Sequence, residues 1–182
     1  MKLTTTLACV ALGIGFAARI GFSQETNDTP PRLVLSEVVT GSMASEQYCV
    51  LVFPDRRYHF EKANRKLGAD RIRRVYEGQL STNDWNALDG ILDERSFQEL
   101  KGPQGAGPLV IEDAHTFAIS VARDSKFQNM EFLDNKSRKP YEVQLKPLLR
   151  WWKTFRGSHM IESKVGADPR CALDSTHAVF SQ

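Results

Sequence analysis

Glu112, Asp113 and His115 put two hard oxygen donors and an imidazole within four residues, a set that could hold a divalent ion if His59 or His177 lay nearby. Their spacing matches no established ligand pattern, and acids at the entrance of a strand are ordinarily just solvated. No serine lies in a Gly-x-Ser-x-Gly elbow, and the serines fall instead in turns, caps and tails. Cys49 sits inside an apolar strand, a poor setting for a thiolate nucleophile. Asp84, Asp89, Asp93, Glu94 and Glu99 read as helix starts and wet helix faces rather than as a carboxylate pair held across a cleft. The enzyme reading is therefore the alternative one: a small secreted hydrolase or metal-assisted enzyme using His115 with Glu112 or Asp113. No cofactor is implied.

Charge distribution says more than any motif. Eight basic residues lie between Asp55 and Arg74, against Asp55, Glu61 and Asp70. Seven more lie between Lys136 and Arg156, against Glu142 alone, and the stretch between these segments is acidic. If the segments share a face, they would draw an anionic partner, with Arg71, Arg73, Arg74, Lys146 and Arg150 as the contacting cations. The plainer alternative is that they flank strands and complement the acidic helix. Trp151 and Trp152 are adjacent, so at helical spacing one enters the core and the other is left partly exposed, where tryptophan favours sugar or protein contacts. Trp151 joins the candidate binding residues on that ground.

The first residues carry an export pattern. Lys2 gives a positive start, Leu3 to Ala18 form an apolar run short for spanning a bilayer, and Gly21 and Ser23 are small residues suited to peptidase cleavage after Ser23. An uncleaved anchor is the alternative, and the threonines and Arg19 that interrupt the run argue against it. Removing residues 1–23 takes Lys2 and Arg19 away and leaves 22 basic against 22 acidic residues, so the mature chain is formally neutral. A nucleic-acid partner thereby loses its simplest support, and an anionic polymer or another envelope protein is the expected partner class. No second apolar segment approaches membrane length. Cleavage also leaves only Cys49 and Cys171, in a chain bound for an oxidising, periplasmic or extracellular compartment, and they are expected to pair.

These residues need elements to position them. Val75 to Leu92 organises the chain: strand-like Val75, Tyr76, Gln79 and Leu80 with Gly78 as a bulge or close approach, then Ser81 as N-cap, then Trp85, Leu88, Ile91 and Leu92 on one helical face. Arg32 to Val39 and Tyr48 to Phe53 read as strands with a loop over Gly41 to Glu46. Pro54, Asp55 and Arg56 form a turn, after which Tyr58 and Phe60 alternate with His59 and Glu61 as buried and wet faces. Lys62 to Arg74 reads as a charged connection, and Glu94 to Leu100 as a short second helix. Gly102 to Pro108 is the strongest loop signal and parts the domain into halves. Thr116 to Ala122 and Phe127 to Leu133 form another hairpin. A final helix buries Leu145, Leu148, Leu149, Trp152 and Phe155, with Pro140 and Pro147 predicting two short pieces or a kink.

Val50 onward and Ile119 onward share apolar alternation, a turn aspartate, a basic residue and an aromatic in the same order, which hints at a duplicated hairpin-plus-helix unit. The expected architecture is a single α+β domain over residues 32–157: an antiparallel sheet of about five to six strands with two main helices on one face. A signal peptide (1–23) and polar leader (24–31) precede it, and a tail (158–182) follows. The expected function is that of an exported, non-catalytic binding protein.

Overall fold

In a computed structural model, residues 29–103, 115–124, 126–158, 168 and 170–171 are described. Six strands form one antiparallel sheet: β1 (Leu33–Thr40), β2 (Ala44–Val52), β3 (Arg57–Lys66), β4 (Ile72–Gln79), β5 (His115–Arg123) and β6 (Lys126–Phe132). Their order across the sheet is β4-β3-β2-β1-β5-β6. Helices α1 (Thr82–Asp93), α2 (Arg95–Gln98), α3 (Asn135–Arg138) and α4 (Glu142–Gly157) complete the described elements, with a 3-10 turn over Lys139–Tyr141 leading into α4. The α+β architecture is as the alternation of the sequence predicts.

Period-two alternation explains the core. Leu33 and Leu35, Tyr48, Val50 and Val52, Phe60, then Phe117, Ile119 and Val121, with Met130 and Phe132, share one sheet face. Against them pack Leu88 and Leu92 from α1, Phe97 from α2, and Leu145, Leu148, Trp152 and Phe155 from α4. Burying each such side chain contributes about 1.5–3 kcal/mol, so truncating any one of them opens a cavity the neighbours cannot fill. The α1 start is built as its sequence implies: Ser81 Oγ accepts the Asp84 amide at 3.1 Å, which satisfies one of the unpaired amides of the first turn. Gly78 marks a close approach, since a Cβ there would lie 2.5 Å from the Tyr58 hydroxyl.

Several expectations change. Lys62 to Arg74 is not a connection: β3 continues to Lys66 and β4 begins at Ile72, leaving only a short turn around Gly68, whose φ is +73°. Long cationic side chains hide strand character there because they interrupt the apolar alternation on both strand faces. The loop before β2 likewise shortens, as β2 starts at Ala44. Pro147 sits inside a continuous α4; the carbonyl it strips belongs to Val143, which is 82% exposed, so water can serve it. The likeness between the two hairpins ends at their turns. Tyr58 pairs with Val52 on the helix face, whereas its counterpart Phe127 pairs with Ala122 on the other face, because the turns differ by a residue. The glycine-proline loop lies beyond Pro103 largely outside the described residues.

Candidate functional site at the end of α4

Strand β1 places Glu37 two residues beyond Leu35, on the face that packs against the helices, and only 5% of it is exposed. A carboxylate there must be partnered. Its Oε1 accepts from His115 Nε2 at 2.7 Å; its Oε2 accepts from Trp152 Nε1 and from the Arg156 guanidinium, each at 2.6 Å. Burial pushes the Glu37 carboxyl up, but hydrogen bonds from His115 and Trp152 and the charges of Arg156 and His115 outweigh it and hold the group below its ordinary value.

Tyr48 pairs with Glu37 across β1 and β2, and cations from both basic segments meet on its ring. Arg156 Cζ lies 4.8 Å and Lys62 Nζ 5.3 Å from the ring centroid. Burial, then the Glu46 carboxylate that accepts its hydroxyl at 2.6 Å, push the phenol up to about 12, so it stays a neutral donor. The register continues this row: Arg74 beside Lys62, then Tyr48, Glu37 and Phe117. The Arg138 guanidinium lies 5.5 Å over Phe117. At about 4.8 Å per strand, the row spans roughly 19 Å. Lys62 and Arg74 come from the first basic segment, Arg138 and Arg156 from the second.

Two acids of α1 are paired by residues from elsewhere. Asp89 and Asp93 of α1 pair with Arg32, and Asp93 also with Arg123, both outside the two basic segments. Lys62, Arg74, Lys146, Arg150 and Lys153 have no carboxylate partner among the described residues. Complementing the acidic helix therefore does not account for these basic residues.

The expected binding residues do not all converge. Arg74 is exposed on the row just described. Lys146 and Arg150, with Lys153, form an exposed stripe along the outer face of α4. Arg71 bonds to Gln47, and Arg73 lies on the opposite sheet face, its Nε 3.4 Å from Glu61. Trp151 is partly buried and stacks on Phe155 with centroids 5.0 Å apart, while Trp152 is core. His115 has Glu37 as its partner; Glu112 and Asp113 lie outside the described residues. Among the described residues no group of three His, Cys, Asp or Glu side chains could hold a metal ion.

Glu37, Trp152 and Tyr48 were not marked as site residues by the sequence reading. A signal existed: Glu37 has the parity of Leu33 and Leu35, which aims its charge at the core side. The opposite face holds a second surprise. His59 and Glu61, expected on a wet face, are 1% and 0% exposed. Cys49 and Cys171 form a disulfide, with sulfurs 2.04 Å apart, and this brings residues 170–171 onto that face. Glu61 Oε1 accepts the amides of Arg170 at 2.6 Å and Cys171 at 2.8 Å, and also faces His59 Nε2 at 2.8 Å, while His59 Nδ1 lies 2.9 Å from Glu77.

No protein-family model matches the chain and no curated protein is significantly similar to it. The class rests on fold and site: an antiparallel α+β domain with a buried carboxylate hub and a cationic row over its helix-covered sheet face. No described helix is long and apolar enough to cross a membrane.

Proposed function

We propose that this is an exported, non-catalytic binding protein whose cationic row takes an anionic partner. The observation that carries the reading is the meeting of the two basic segments on Tyr48, where Lys62 and Arg156 share one ring and Arg74 lies alongside. Arg156 is balanced by Glu37, so the unpaired charge offered to a ligand is that of Lys62 and Arg74. The buried Glu37 hub fixes Arg156 and Trp152 in place, which preorganises the end of α4 against which a ligand would sit. Export is supported by the leader pattern and by the disulfide, which persists in oxidising compartments.

The test is retention on an immobilised polyanion as salt is raised. Contacts of this exposed kind are screened within about 8 Å at physiological ionic strength, so elution should move strongly with salt. Lys62→Ala with Arg74→Ala should elute markedly earlier, whereas Arg32→Ala, in an already neutralised pair, should elute almost unchanged. Equal retention of the double variant and the parent would sink the reading.

A further inference from the structure

Beside the row, at the same end of α4, lies a groove of about 230 Å³ that the cationic site does not use. Trp151, Tyr58 and Phe155 supply its aromatic wall, and Gln79, Ser81 and Asp84 its polar side. Its build follows from the fold: Gly78 lets the Tyr58 ring lie across β4, Phe155 meets that ring edge-on at 5.2 Å, and Trp151 stacks on Phe155. The N-terminal turn of α1 brings Asp84, whose carboxylate accepts the Ser81 hydroxyl at 2.6 Å.

We infer that this groove is a subsite for one sugar ring, so that the anionic partner of the row is an acidic polysaccharide. The inference rests on the anion-binding reading and adds the chemical class of the ligand. A pyranose has an apolar C–H face that packs on aromatic rings and an equatorial belt of hydroxyls that seek a carboxylate and an amide. A groove lined both by aromatic rings and by Asp84 and Gln79 offers both. The acid in the groove disfavours a charged substituent there, whereas β4 leads from the groove to the cations: Gly78, Tyr76 and Arg74 lie on one strand face. At about 3.3 Å per residue, Gly78 to Arg74 covers roughly 13 Å, a span of two to three sugar units. A glycan with one ring in the groove thus places a later carboxylate at Arg74 and Lys62. Polyglutamate and polyphosphate would meet the row equally well but carry no apolar ring face to place against Trp151.

The experiment compares an oligosaccharide in which galacturonate alternates with a neutral sugar, a polyglutamate and an inorganic polyphosphate of matched charge, by calorimetry and by saturation transfer from protein aromatic protons to the ligand. The galacturonate should bind tightest and show transfer to its ring C–H protons. Trp151→Ala should weaken it about tenfold, as loss of an aromatic anchor does, and leave the other two polymers unchanged. Because Trp151 also packs on Phe155, Gln79→Ala, at an exposed position, provides a second variant that should weaken the galacturonate alone. Equal binding of all three polymers, insensitive to both variants, would overturn the sugar subsite while leaving the anion reading standing. Binding of none of the three would overturn both.

Discussion

Each face of the sheet carries a buried glutamate tied to a histidine and an arginine, yet the two clusters are closed by different means. Glu37 is held by side chains, those of His115, Trp152 and Arg156, and two of these reach the surface: the side chains of His115 and Arg156 remain 28% and 27% exposed. Glu61 is held largely by backbone, through the amides of Arg170 and Cys171, and its histidine is sealed. The first arrangement stays open to solvent. The second fastens a distant piece of chain to the sheet, with the Cys49–Cys171 bond beside it.

The difference should show most in the disulfide. Its closed loop spans 122 residues, for which chain entropy predicts a loss of about 4–5 kcal/mol on Cys171→Ser, read as a lower urea midpoint. Thiol titration of the oxidised, leaderless protein should find none; two free thiols would remove the bond from the account. Next come the carboxylates. Glu61→Ala strands the buried Cys171 amide and His59 Nε2, the ring keeping only Glu77 at Nδ1, and should cost about 3–5 kcal/mol. Glu37→Ala strands only the Trp152 indole, since Arg156 and His115 can turn to solvent, and should cost about 1–3 kcal/mol. The reverse order would refute the contrast between a sealed and an open cluster.

Much of the fold was legible because local chemistry agrees with the final structure. Ser81 caps α1, Leu88 and Leu92 fall on its inner face, and strands β1, β2 and β5 show their alternation openly. His59 and Glu61 defeated the same logic. Alternation tells which residues share a face, but whether the second face is wet depends on a contact 110 residues away in sequence, between Glu61 and Cys171. The cysteine pair was the available clue: if it closes, it must bring chain onto the face that Cys49 shares. The site was legible only in part for a related reason. Cation content marked both segments, yet which cations remain unpaired depended on Arg32 and Arg123 reaching α1 first, a pairing that no local pattern encodes.

Acid sharpens the comparison further. Burial pushes both glutamates up, but in each the lowering contacts win: His115, Trp152 and Arg156 at Glu37, and His59 with the Cys171 and Arg170 amides at Glu61. A carboxyl that binds its proton less readily when folded stabilises the fold fully above its ordinary value of 4.5. That contribution falls as pH drops below this value and is gone below the folded pKa. Urea midpoints measured from about pH 6 down to about pH 3 should therefore decline for the parent, and less steeply for Glu37→Gln and Glu61→Gln. An unchanged slope in both variants would show that other acids set the acid limit.

The smallest effect is expected at His115, and it separates the open cluster from a catalytic one. Its contact with Glu37 Oε1 is a single hydrogen bond at 2.7 Å from a partly exposed ring, and without it Oε2 still keeps both Trp152 and Arg156. His115→Gln keeps a donor within reach and should cost at most about 1 kcal/mol in urea denaturation. If His115 only steadies Glu37, polyanion retention and its salt dependence should also stay at the parent's values, because Lys62 and Arg74 supply the unpaired charge. A large loss of retention with stability intact would instead make His115 a direct ligand contact. The open cluster would then be the binding site itself rather than its support.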